Sequence, residues 1–510
     1  MSAEGNASPG DQCPRMRWTN ILIAFAVMAC VLGSGRASLA EPQPDHLAMH
    51  PCPMGKVHLS AQCGTFTVYA DREARSGWMI KLNMVVLPAE HKTDQAIFWN
   101  PGGPGASATL YAPFIVDGFL QNELMSLRDR YNVVFVDNRG TGSSHPFQCD
   151  LYPPAHPEAY YRQLIPDAQL QACRDRLIAN TDLNQYGTDT AADDLDDVRN
   201  ALGYPKIVLD GDSYGTEFFL DYARRHPDRV ESIVLQGVAP PHYLIIPLED
   251  AGGAQRAFEN LATACEADQT CHGQFPDFRA HFAALVHRID GGPLRMTVLN
   301  AVTKTKVTVS LTKEVFADRI RQAMYSEFSA SYVPYVTERA YQRDYGPLAQ
   351  IVEFATDNYG RGLDIGLNLS VTCAEDIPFI TPEDIASTSA GSFQGDTRVR
   401  AQQHACAIWN VRPAPAAFQE PVHTTAPVLM ISGADDPTTP PSYATKALAF
   451  MPNGRQIIIP NASHDSELPC ADALLVRFVL TRDAKALDAT KCIGTARRPP
   501  FATSMKGFAG

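Results

Sequence analysis

The sequence predicts an α/β fold: a mostly parallel sheet flanked by helices, with a large, mainly helical cap inserted between late strands. Three observations carry this. Short apolar runs recur along the chain, each of the kind that a strand buried on both faces requires. Around residues 190–237 these runs alternate with a helical pattern, giving strand, helix, strand. The alternation then breaks at Ala239-Pro240-Pro241 and resumes only near Pro427, a gap far longer than a connection between neighbouring strands.

The predicted strands, in order, are Ala96-Ile97-Phe98-Trp99, Tyr131 to Val136, Lys206-Ile207-Val208-Leu209, Ser232-Ile233-Val234-Leu235, Val428-Leu429-Met430-Ile431 and Gln456-Ile457-Ile458-Ile459. Ala191, Leu195, Val198 and Leu202 recur at helical spacing before the stop at Gly203. Within the long interruption the pattern is amphipathic helix with one hairpin across Leu294 to Val309. The expected organisation is a leader over 1–40, a first part of the core over 41–240, a cap over 241–420 and a second part of the core over 421–510.

The leader is expected from Arg15 and Arg17 preceding the apolar run Ile21 to Gly33, then small residues up to Ser38-Leu39-Ala40 before Glu41-Pro42. That is the pattern of a signal peptide cleaved after Ala40. The competing reading, a membrane anchor, needs about 20 apolar residues, and this run is shorter. Cysteine usage points the same way. Beyond the leader stand Cys52, Cys63, Cys149, Cys173, Cys265, Cys271, Cys373, Cys406, Cys470 and Cys492, in five short-range couples. An oxidising compartment, secreted or periplasmic, with up to five disulfides is expected. Nearest-neighbour pairing is the working hypothesis, because spacing alone leaves connectivity open. There is no C-x-x-C pair and no histidine at finger-like spacing, so no metal is expected.

With 43 basic against 56 acidic residues the net charge is −13. That balance excludes the basic stripe that a nucleic acid demands and gives no reason for attachment to anionic membranes. Hydrophobic residues make up 45% of a 510-residue chain, enough for a sizeable core and against disorder. The oligomeric state is not legible.

Gly211-Asp212-Ser213-Tyr214-Gly215 follows one apolar strand and precedes a helical stretch in which Phe218, Phe219, Tyr222 and Ala223 share a face. A G-x-S-x-G in that context is a nucleophile elbow, lifting the serine hydroxyl above the sheet edge. Serine is a poor nucleophile at neutral pH and needs a histidine to take its proton and a carboxylate to orient that histidine. In such folds the chain order is serine, acid, histidine. His464 is the one histidine after the last strand pair. The acid is expected after the strand ending at Ile431, where Asp435 and Asp436 compete; neighbouring side chains of an extended segment point apart, so only one can face His464. Asp436 is the choice and Asp435 the alternative, the loser capping the following turn. Asn100-Pro101-Gly102-Gly103-Pro104-Gly105 follows an early strand, and the N–H of Gly103 with that of Tyr214 can form an oxyanion hole. The Asp137 to Ser143 segment reads as a structural turn in which Arg139 holds loops by hydrogen bonds.

These motifs, together with Cys63-Gly64-Thr65, His226-Pro227-Asp228-Arg229-Val230, Phe275-Pro276-Asp277 and Asp436-Pro437-x-Thr439-Pro440, resemble the exported serine aminopeptidases of the α/β-hydrolase fold, the tripeptidyl aminopeptidase and proline iminopeptidase group. The resemblance runs over most of the chain and includes a tripeptidyl-aminopeptidase-like C-terminal region. It implies Ser213 as nucleophile, Asp436 as acid and His464 as base, with no cofactor. Asn100-Pro101 before the glycine pair and Asp465 after His464 depart from the family's usual residues. A free α-ammonium on the substrate calls for carboxylates, and Glu375 and Asp376 are the candidates. The expected activity is cleavage of amide bonds at or near the N-terminus of short peptides. An esterase or lactonase acting on a small acyl substrate is the alternative, since the same triad serves both.

Overall fold

The computed structural model describes residues 46–241, 245–248, 250–466 and 468–508. The leader expected over 1–40 lies outside these. Eleven strands are described: β1 (Leu47–Met54), β2 (Leu59–Tyr69), β3 (Met79–Leu87), β4 (Ala96–Asn100), β5 (Asn132–Val136), β6 (Ile207–Asp212), β7 (Val230–Gln236), β8 (Leu294–Leu299), β9 (Lys306–Leu311), β10 (Val428–Gly433) and β11 (Gly454–Ile459). Nine form one sheet in the order β1-β2-β3-β5-β4-β6-β7-β10-β11, while β8 and β9 make a separate antiparallel hairpin. From β5 to β11 every pairing is parallel, and β1 to β3 join antiparallel at one edge.

The parallel strands read as apolar runs because both faces are covered. Phe98, Val134, Leu209, Leu235 and Met430 pack into one core, and Ile97, Trp99, Val133, Val208 and Leu429 into the other. Neighbouring residues point to opposite sides, so each strand feeds both. The strands β1 to β3 are absent from the sequence-based expectation. Pro51 and Pro53 interrupt β1, and its partly exposed face lacks the continuous apolar signature.

Five helices matter for the site: α1 (Thr188–Ala201), α2 (Tyr214–Arg225), α3 (Lys313–Ala323), α4 (Ile365–Glu375) and α5 (Thr397–Trp409). Helix α1 carries the periodic residues Ala191, Leu195 and Val198 and is capped by Leu202, followed by Gly203 at φ 82°. Helix α2 is buried from Tyr214 to Ala223, not on one face alone. Helices α3 to α5 belong to the long segment between β7 and β10, which are nonetheless direct neighbours in the sheet.

Five disulfides join Cys52–Cys63, Cys149–Cys173, Cys265–Cys271, Cys373–Cys406 and Cys470–Cys492, the nearest-neighbour pairing. Arg139 is buried and clamps loops: its Nε and Nη2 donate to the two oxygens of Asp194 at 2.7 and 2.9 Å, and its Nη1 to the carbonyls of Ala70 and Gln185. No helix among the described residues is long and apolar enough to cross a membrane.

Candidate active site

Sheet register fixes where the chemistry can sit. Asn100 pairs with Gly211, Asp212 with Gln236, Gln236 with Ile431 and Gly433 with Ile459. The carboxyl ends of β4, β6, β7, β10 and β11 therefore line up, and the loops leaving them gather at one edge, the usual ligand crevice of such sheets.

Ser213 stands between β6 and α2 at φ 55° and ψ −126°. A non-glycine residue rarely adopts such a backbone, which costs about 1–3 kcal/mol and is held only by its surroundings. Ser213 N–H donates to Gln236 O at 2.9 Å, and the Thr216 hydroxyl donates to Ser213 O at 2.6 Å. The strain of the elbow thus falls on the serine itself. Gly215 supplies clearance: a Cβ there would lie 2.3 Å from Asn100 O.

The glycine loop packs onto this elbow. A Cβ at Gly102 would lie 2.4 Å from Asp212 O and 2.9 Å from Tyr214 N, so the backbone around Gly103 and the Tyr214 N–H stand on touching segments. From the inserted segment, Asp364 N–H donates to Gly105 O at 2.9 Å, and its carboxylate accepts from Gly142 N at 2.8 Å.

Asp436 is fully buried and ties its own loop. Its Oδ1 accepts from the N–H groups of Thr438 and Thr439, both at 2.8 Å, and its Oδ2 from the Thr439 hydroxyl at 2.6 Å. The same Oδ2 lies 2.8 Å from His464 Nδ1. With Nδ1 donating there, Nε2 is left as the acceptor. Burial opposes the charge on Asp436, but the His464 imidazole and these hydrogen bonds outweigh it and hold the carboxylate below its usual range. Burial likewise disfavours a charged His464, yet Asp436, then Asp465 and Asp212, raise it above its ordinary value.

Asp435 does not cap the turn, as the loser of the pair was expected to; Asp436 does that itself. Asp435 accepts from Asn260 Nδ2 at 2.8 Å and pairs with Arg498.

Ser213 and His464 line one cavity of about 490 Å³. Gly103, Trp99 and Tyr111 contribute to its wall from the core, and Tyr325, Tyr359 and Leu363 from the inserted segment. Four carboxylates line it too, Asp250 and Asp318 from the inserted segment and Asp212 and Asp465 nearer the triad loops. Asp212 accepts from Trp99 Nε1 at 3.0 Å, and Asp465 accepts from the Tyr359 hydroxyl at 2.6 Å.

Glu375 and Asp376 are placed elsewhere, and the expectation that they face the substrate is corrected. Both are buried, and neither lines the cavity. Glu375 accepts from the backbone N–H and the hydroxyl of Thr188 at 2.7 and 2.6 Å, and the Thr188 hydroxyl meets Tyr214 OH at 2.7 Å. Burial first, and Glu217 second, push Glu375 well above the usual carboxylate range; burial and then Glu375 do the same to Asp376.

Thr439, Thr188 and Asp465 were not picked out as site residues from the sequence. Thr439 could have been, since it stands in the Asp436-Pro437-x-Thr439-Pro440 segment beside the acid; the contacts of Thr188 span residues far apart in the chain.

A family model for the alpha/beta hydrolase fold matches residues 95–467. Serine protease Hip1 of Mycobacterium tuberculosis is 26% identical over 469 residues, covering 82% of this chain and 85% of that protein. Carboxylesterase B of the same species is 28% identical over 234 residues, covering 42% of this chain and 43% of its own length. Tripeptidyl aminopeptidase of Streptomyces lividans is 27% identical over 195 residues, or 35% and 36% of the two chains. The family match spans the nucleophile elbow, the loop bearing Asp436 and the loop bearing His464, and the chain belongs to the α/β-hydrolase fold family as a serine hydrolase.

Proposed function

We propose that this protein is an exported serine peptidase that cleaves amide bonds at or near the N-terminus of short peptides through an acyl-enzyme. The observation that carries the catalytic reading is the 2.8 Å approach of His464 Nδ1 to buried Asp436, with Ser213 on the same cavity. In the first step Ser213 Oγ bonds to the scissile carbonyl carbon while its proton passes to His464 Nε2. The carbonyl oxygen becomes an oxyanion held by the N–H groups of Gly103 and Tyr214. The tetrahedral intermediate collapses as the C–N bond breaks and Nε2 returns the proton to the leaving amine. Water, deprotonated by Nε2, then bonds to the acyl carbon, and as the ester C–O bond breaks Nε2 returns the proton to Ser213 Oγ and the acid is released. Asp436 fixes the ring and stabilises the imidazolium throughout.

The peptide preference rests on the cavity. A volume of about 490 Å³ behind an inserted segment suits a few residues, not a folded protein. Asp465 and Asp212, on the cavity with Ser213, are the carboxylates we assign to a free α-ammonium, the role first assigned to Glu375 and Asp376. Export is supported by the five disulfides and by the signal-like pattern over 1–40. The esterase reading draws on one observation, the partial similarity to Carboxylesterase B.

A panel of aminoacyl and tripeptidyl chromogenic amides beside short-chain aryl esters tests the proposal, with Ser213→Ala as the inactive control. Turnover of amides with a free N-terminus, with a roughly tenfold or greater loss on acetylation, is expected. Turnover of esters alone would replace the peptidase by an esterase.

A further inference from the structure

Five charged side chains of the inserted segment line the cavity that holds Ser213: Asp250, Asp318, Arg319, Arg321 and Arg398. All but Arg398 are at most 3% exposed. Arg321 joins both acids, its Nη2 lying 2.8 Å from Asp318 and its Nη1 3.2 Å from Asp250, and only its Nε is left without an acceptor among the described residues. Arg398 Nε sits 3.6 Å from both carboxylates. Arg319 reaches only the second oxygen of Asp318, through Nη1 at 3.1 Å, and the same Nη1 donates to Gln322 Oε1 at 2.8 Å. Three guanidinium groups thus face two carboxylates.

The unmatched donors fall mainly on Arg319. Arg319 Nε and Nη2 are buried and meet no hydrogen-bond acceptor among the described residues, while its guanidinium carbon lies 5.5 Å from the centre of the Tyr152 ring. Nε and Nη2 form one edge of the planar fork, the geometry that receives both oxygens of a carboxylate. A buried guanidinium with two nitrogens left unmatched is unfavourable unless an acceptor completes it. A purely structural clamp would need only Arg321, which already joins Asp250 and Asp318.

We propose that Arg319 is a specificity-determining residue that receives a carboxylate of the substrate, so that the enzyme prefers short anionic peptides. The inference deepens the peptidase reading and rests on it for the word peptide; the carboxylate recognition itself does not depend on which bond is cleaved. The carboxylate can come from a free C-terminus or from an acidic side chain.

The test compares kcat/KM of the native enzyme on matched pairs. Tetra-alanine against its C-terminal amide reads the first source, and amidated tetrapeptides with Glu against Gln at each position read the second. Aryl hemiglutarate against aryl butyrate asks the same question of an ester. Within at least one pair the anionic member should be preferred by about tenfold to a hundredfold. Arg319→Gln should abolish that preference, and Arg319→Lys, which keeps the charge but not the fork, should retain part of it. Glutarate titrated calorimetrically into the native enzyme should bind more tightly than glutaramide. A preference confined to the ester pair sustains the role of Arg319 and removes the peptidase reading. Equal kcat/KM within every pair, or glutarate binding no better than glutaramide in an enzyme that turns over none of these substrates, overturns the proposal.

Discussion

The carboxyl group of Glu375, at the end of an inserted helix, holds Thr188 at the start of a core helix by two hydrogen bonds of 2.7 and 2.6 Å. The Thr188 hydroxyl in turn meets the phenol of Tyr214, the residue after the candidate nucleophile. The inserted segment is therefore wired into the nucleophile elbow by buried polar groups and does more than cover it.

Removing that anchor should affect stability before chemistry. Glu375→Ala leaves the Thr188 N–H and hydroxyl buried without their acceptor, a loss of about 2–4 kcal/mol readable as a lowered Tm. Glu375→Gln keeps an acceptor for the N–H and should melt close to the native protein. Because Glu375 does not line the cavity, the Gln variant should discriminate free from acetylated peptides as the native enzyme does. A collapse of that discrimination would restore Glu375 as an ammonium partner.

The two neighbouring aspartates should separate cleanly. Asp436→Asn offers His464 an amide in place of a carboxylate, favours the wrong tautomer and should lower kcat on the order of 10⁴-fold with the fold intact. Asp435→Asn leaves Arg498 without its buried partner, so stability should fall by about 3 kcal/mol while kcat stays within severalfold of native. Paired steady-state kinetics and thermal melts distinguish the two, and the reverse ranking of kcat would move the catalytic role to Asp435.

Proton abstraction by His464 requires its neutral form, and the carboxylates around it raise its affinity for a proton. The acid limb of kcat/KM should thus fall above 6.5, the ordinary histidine value, with activity rising as pH increases through it. Asp465→Asn removes one of those negative charges and should move the limb to lower pH by roughly half a unit, for free and acetylated substrates alike. If Asp465 also receives the α-ammonium, KM should rise for the free peptide alone. A limb that does not move would place Asp465 outside the electrostatic reach of His464.

The fold class and the triad candidates were legible because they rest on local signals. Apolar runs mark strands buried on both faces, a G-x-S-x-G between strand and helix marks the elbow, and chain order leaves one histidine after the last strands. The edge strand β1 was not legible, since its prolines and half-exposed face erase the run that marks a buried strand, whereas β3 carries such a run in Met84-Val85-Val86-Leu87 that went unused. Adjacent positions such as Asp435 and Asp436 differ by nothing that sequence can weigh; their roles part when Arg498 and His464, distant in the chain, arrive on opposite sides. Glu375 shows the same limit from the other direction. A carboxylate beside a cysteine in an inserted segment suggests ligand binding by its chemistry, and only the packing of that segment against Thr188 decides that it faces inward. The sequence determined which chemistry the chain can assemble, because that depends on residue type and order. Which carboxylates and guanidiniums meet the cavity was decided by tertiary structure, because burial and orientation are properties of contacts between segments tens to hundreds of residues apart.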